Sequence, residues 1–184
     1  CTYGDILVAH IVAEDATTAG ITTPSGWTLA NTQTNGSTFI SGLYWKIATG
    51  LESGTQDFVV SNSVAAWGRI YRFNRGSAIE SAGGQLNTGS STTMPCTDVT
   101  GTKLLAIALQ AFYAKINTTI GNVTGESGGD YTEAVAEYAT GGATSGILSL
   151  QAATLAAAGS ITGGSATLGS AGTNRATHAC VFYP

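Results

Sequence analysis

The chain has 184 residues, only 10% of them charged, a net charge of −4 and a pI near 4.9. Ordinary soluble domains carry about 25% charged residues. The balance excludes the basic stripe of a nucleic-acid binder, and 43% hydrophobic residues exclude a disordered polar chain. No apolar run reaches the ~18 residues of a membrane span.

In chain order, residues 5–13 are rich in Ile, Leu and Val and predict a buried strand, with His10 on the face of Ile6, Val8 and Val12. Pro24-Ser25-Gly26 predicts a turn and Trp27-Thr28-Leu29 the start of a strand. Asn35-Gly36 predicts a hairpin between Leu29 and Phe39. Residues 39–49, 56–61 and 65–73 read as strands, the last with Trp67, Arg69, Tyr71 and Phe73 on one face. Residues 76–101 are rich in Gly, Ser and Thr and read as a connector with room for one irregular strand. Further strands are expected at 102–113, 131–138, 147–156 and 176–183. For 151–158, Ala content favours helix, but alignment with Tyr44–Thr49 favours strand, which is the expectation adopted. Residues 159–172 read as loop or hairpin.

The two halves repeat one another. Ile21 to Leu29 returns in worn form at Val123-Thr124-Gly125-Glu126-Ser127-Gly128. Ile6-Leu7-Val8-Ala9 aligns with Leu104-Leu105-Ala106-Ile107, and Leu43 to Thr49 with Leu148 to Thr154. Two copies are too few for a solenoid. Roughly eight to eleven short strands without an amphipathic helix predict an all-β fold, a jelly-roll-like antiparallel β-sandwich. It forms one domain over 1–184, with similar halves at about 1–75 and 102–184. The chain does not begin with Met, which fits a processed or partial product.

Candidate chemistry is sparse. Gly125-Glu126-Ser127-Gly128-Gly129 has the G-x-S-x-G spacing, but a nucleophile elbow needs a strand-to-helix turn. His10 and His178 fall on the first and last strands, which could be neighbours. With no third ligand or activated partner signalled, packed histidines are expected. Arg69, Arg72 and Arg75 read as a solvated strand edge. Acidic residues gather at Glu14-Asp15 and at Glu126, Asp130, Glu133 and Glu137. Glu126 and Asp130 could offer calcium some oxygens, but no D-x-D-x-D spacing supports it, and Glu133 and Glu137 read as a solvated strand edge. No catalytic residue, metal or cofactor is assigned.

Cys1 and Cys96 each precede the first strand of a half, and a disulfide between them is the favoured pairing. Cys180 is then left free or bridges subunits; three unpaired, mostly buried thiols are the alternative. Trp27, Trp45, Trp67 and Tyr71 lie on strands, where core packing is their expected work. Exposed, they would anchor an interface or stack on a glycan. Asn35-Gly36-Ser37, Asn117-Thr118-Thr119 and Asn122-Val123-Thr124 are acceptor sequons for N-glycosylation.

Gly4-Asp5-Ile6-Leu7-Val8-Ala9, Pro24-Ser25-Gly26-Trp27-Thr28 and Tyr44-Trp45-Lys46-Ile47-Ala48 together resemble a β-sandwich family. Its members read G-D-[IL]-L-V-A, then P-x-G-W-T, then [YW]-x-K-x-A, and occur in tailed-phage virion proteins and phage-derived bacterial genes. The second half departs from it, with Gly128-Gly129-Asp130 where Gly-Trp-Thr would stand. The resemblance implies a non-enzymatic structural protein of a virion, a capsid decoration or a tail or fibre subunit. It would bind copies of itself or other capsid or tail proteins. The alternatives are a secreted extracellular filament or surface-layer subunit, and a carbohydrate-binding module with a glycan partner.

Overall fold

The computed structural model describes residues 1–14, 20–61, 65–74, 76–116, 118–127, 132–139, 146–155 and 157–184, the strand at 132–139 through its backbone pairing. Among these the first half supplies β1 (Ile6–Glu14), β2 (Ile21–Thr22), β3 (Thr28–Asn35), β4 (Phe39–Ile47), β5 (Val59–Val60) and β6 (Ala65–Phe73). The connector supplies β7 (Ser81–Asn87), β8 (Ser91–Pro95) and β9 (Val99–Gly101). The second half supplies β10 (Ile107–Ala114), β11 (Thr132–Ala139), β12 (Ile147–Thr154), β13 (Gly159–Ile161), β14 (Ser165–Gly172) and β15 (Arg175–Phe182).

Two antiparallel sheets form the sandwich, in the orders β3-β4-β1-β6 and β11-β12-β10-β15-β7. Removing β7 leaves the same arrangement in each half. Ile6 pairs with Ile47 and Phe73, and Ile107 pairs with Thr154 and Phe182. Ile6 is therefore equivalent to Ile107, three residues from its sequence alignment with Leu104. The repeated Ile21 to Leu29 motif also keeps its place: β2 pairs with β5, and Thr124 bridges to Ser165. The likeness to a jelly roll is one of layers. In connectivity each half keeps to its own sheet, as short connections between consecutive strands favour.

Local chemistry sets the turns. Gly26 holds φ 80° while the Trp27 N–H donates to the Pro24 carbonyl at 3.1 Å. The Asn35-Gly36 hairpin forms as expected, with Gly36 at φ 50° and Thr38 N–H donating to the Asn35 carbonyl.

The sheets meet over a shared core. Ile6, Val8, Leu43 and Tyr71 pack with Leu109, Leu150, Cys180 and Phe182, and Val12 and Phe39 with Tyr113 and Leu148. Each fully buried side chain of this size contributes about 1.5–3 kcal/mol. The outer face of the second sheet is apolar too. Phe112, Ala153, Val181 and their neighbours lie under Met94, Val99, Ile161, Ala166 and Leu168. This cover, together with β7 at the edge of the second sheet, accounts for three departures from the sequence reading. The connector holds three strands, and residues 159–172 hold two. Those two, β13 and β14, pair with β9 and β8, not with each other.

Three expected strands change length. Of 56–61 only β5 forms. The strand expected from 102 begins at Ile107, because Leu105 adopts a left-handed φ of 63°. The Ala-rich stretch is strand through Thr154, which takes the place of Ile47, two residues from its alignment with Thr49.

Candidate functional site between the two sheets

The alternation of β1 and β15 points His10 and His178 inward from opposite sheets. Ser41, on the inward face of β4, stands between them. Its Oγ lies 2.9 Å from His10 Nε2 and 2.8 Å from His178 Nε2. His178 Nδ1 lies 2.9 Å from Asn31 Oδ1, which also accepts from Gln33 Nε2 at 3.1 Å. The imidazole centroids are 5.3 Å apart, edge to face.

Asn31 Oδ1 only accepts, so His178 carries its proton on Nδ1 and Nε2 is an acceptor. Ser41 therefore donates to His178 and accepts from His10 Nε2–H. His10 Nδ1 is left as a buried acceptor with no hydrogen-bond partner among the described residues. The result is a one-way relay, His10 to Ser41 to His178 to Asn31. Gly84, the register partner of His178, makes room for it. A Cβ there would come within 2.3 Å of Asn31 Oδ1 and 2.8 Å of Gln33 Nε2.

Ser41, His10 and His178 are completely buried. Burial pushes the His10 pKa down to about 3. Burial, and secondarily the proximity of His10, holds His178 well below its usual range. The order serine, imidazole, amide is that of a nucleophile with its base and orienting group. A nucleophile must reach a substrate, and this hydroxyl is sealed between two sheets. The arrangement joins β1, β4, β15 and β3 across the core.

A second buried polar group lies along the same seam. Tyr113 Oη donates to Glu14 Oε1, and Lys115 Nζ pairs with Glu14 Oε2 at 3.1 Å. Glu14 is thus engaged by an ion pair. Glu126 is half-buried, Asp15 and Asp130 lie outside the described residues, and so do the side chains of Glu133 and Glu137. Among the described residues no three His, Cys, Asp or Glu side chains gather as a metal site.

The remaining candidate residues are dispersed. Ser127 is exposed and its hydroxyl meets Thr162 Oγ1 at 2.7 Å, at a strand bridge and not at an elbow. Arg69 and Arg72 fall on opposite faces of β6, and Arg72 Nε pairs with Asp5 at 2.6 Å. Arg75 lies outside the described residues. Among the described residues no helix is long and apolar enough to cross a membrane.

The expected Cys1–Cys96 disulfide is not formed. Cys1 is an exposed free thiol, while Cys96 is buried with Met94 and Val99 under the second sheet. Cys180 is a free thiol in the central core. The aromatics do not make an exposed platform. Trp27 and Tyr71 are buried, and Trp45 and Trp67 pack half-buried against the core. Trp27 Nε1 donates to Gln56 Oε1 at 3.0 Å. Of the sequon residues, Asn122 is exposed and Asn35 is half-buried, donating to Asn174 Oδ1 at 2.8 Å; Asn117 lies outside the described residues.

The sequence reading missed Ser41, Asn31 and Gln33. A signal existed for Ser41, which interrupts the inward apolar series Phe39, Leu43. Comparison with protein-family models, curated proteins and solved structures finds no match to this chain.

Proposed function

We propose that the chain is a non-enzymatic structural subunit of a virion, a capsid decoration or a tail or fibre component, working through packing against other subunits. The observation that carries this reading is an apolar pole. Tyr3 precedes β1, Leu51 follows β4, and Leu104 and Leu105 precede β10. The packing of Ile6 and Ile47 with Ile107 and Phe182 puts these segments at the same end of the sandwich. The four side chains are 79%, 86%, 59% and 56% exposed. Large apolar side chains left exposed at one end of the fold are candidates for contact with another subunit. Leu105 also holds its left-handed backbone, which costs about 1–2 kcal/mol.

The sealed relay supports the same reading, since its serine and histidines are spent on joining the sheets. The virion assignment rests on the resemblance of the first half. Size-exclusion chromatography with light scattering, followed by negative-stain microscopy, tests it. A defined oligomer or filament, or capture by purified capsids or tails, is expected. A monomer that binds neither would overturn it.

A secreted filament or surface-layer subunit is the second reading, favoured by the exposed sequon at Asn122. Intact-mass measurement of the native protein separates the two. Glycan on Asn122 would support the second.

A further inference from the structure

We propose that the His10–Ser41–His178 relay is an acid-sensitive latch, which holds the two sheets together at neutral pH and releases them when the imidazoles take up protons.

The relay has one hydroxyl proton, and it is committed to His178 Nε2. A proton arriving at His178 Nε2 turns that acceptor into a donor, so Ser41 Oγ faces donors from both sides. A proton arriving at His10 instead occupies Nδ1, which has no acceptor among the described residues. Charging both places two cations with ring centroids 5.3 Å apart, out of water. Separation of the sheets relieves each of these conflicts by admitting water.

Among the described residues, the register partners of the two histidines bring no carboxylate to the relay. On β6, Arg69 is the register partner of His10 and adds a like charge. On β4, Leu43 is its other partner, and on β3 Asn31 and Gln33 are neutral. On β10 and β7, the partners of His178 are Ala111 and Gly84. On β15, the next inward residue is Cys180, whose thiol burial keeps protonated. On β12, Leu150 lies in the same seam. Glu14, two inward positions beyond His10 on β1, is engaged with Tyr113 and Lys115.

The sign follows from linkage. Both folded-state pKa values are lowered, so below the unfolded value of about 6.5 the unfolded chain binds protons that the folded chain does not. Stability is complete above that value and falls as pH drops below it. The chain has two histidines, both in the relay, so the interval from pH 7.5 to 5.0 reports on it directly.

Urea unfolding of the full chain over that interval is the test. The unfolding constant is expected to rise several-hundred-fold in the wild type, roughly the effect of two protons. In His10→Gln or His178→Gln it should rise roughly thirty-fold. An equal rise in wild type and variants overturns the proposal. Should the variants not fold, NMR of the imidazoles in the folded wild type decides. Rings that remain neutral to pH 5.0 support the latch, and rings that titrate near 6.5 with the fold intact overturn it.

Discussion

Ser41 and His178 stand 137 residues apart in sequence and 2.8 Å apart in space, and this hydrogen bond crosses the sandwich. Removing the hydroxyl leaves two buried imidazole nitrogens without partners, and each such loss costs about 1–3 kcal/mol. Ser41→Ala is therefore expected to lower stability by about 2–6 kcal/mol. Urea unfolding at pH 7.5 measures it, and a loss below about 0.5 kcal/mol would show the relay to be energetically idle.

Gly84 bears on the same seam from β7. A Cβ there would also approach the Thr177 carbonyl within 2.8 Å, and that backbone has little room to shift. Gly84→Ala should cost about 1–3 kcal/mol by overpacking. Gly20→Ala, where the added carbon meets nothing within 4 Å, should change stability by less than about 0.5 kcal/mol. The difference between the two melting temperatures is the readout.

The thiols differ in reach. Burial pushes Cys96 and Cys180 up to about 12, while Cys1 is exposed. A thiol-specific reagent at pH 8 should modify Cys1 alone in the folded protein and all three residues in denaturant. Prompt native modification of Cys96 or Cys180 would contradict the packing described above.

The shared core predicts that the halves unfold as one cooperative unit. Val8 and Leu109 come from different halves and belong to the same cluster. All three tryptophans lie in the first half, so their fluorescence follows the first sheet, while circular dichroism follows both. The two unfolding curves should coincide for the wild type and for Leu109→Ala, which should lose about 2–5 kcal/mol. Separate transitions would mean that the sheets fold independently.

Much of this architecture is legible in the sequence. The Asn35-Gly36 hairpin, the inward face of His10 and the likeness of the halves all follow from local pattern. The Cys1–Cys96 pairing did not form, because Cys96 belongs to the layer covering the outer face of the second sheet. That layer was itself unreadable. Three of its four strands carry Gly, which is depleted in strands, and they order because Phe112, Ala153 and Val181 need covering. The relay was half legible: the two histidines could be seen as neighbours, but the stacking of the sheets brings Ser41 and Asn31 to them.

The apolar pole carries the functional account, and sedimentation velocity over a range of concentrations tests it most directly. The wild type should associate. Leu51→Ser combined with Leu104→Ser and Leu105→Gly should remain monomeric with an undiminished melting temperature, since the glycine relieves the left-handed backbone at 105. A wild type that stays monomeric at every concentration and is captured by neither capsids nor tails, or a variant that associates as strongly, would contradict the account.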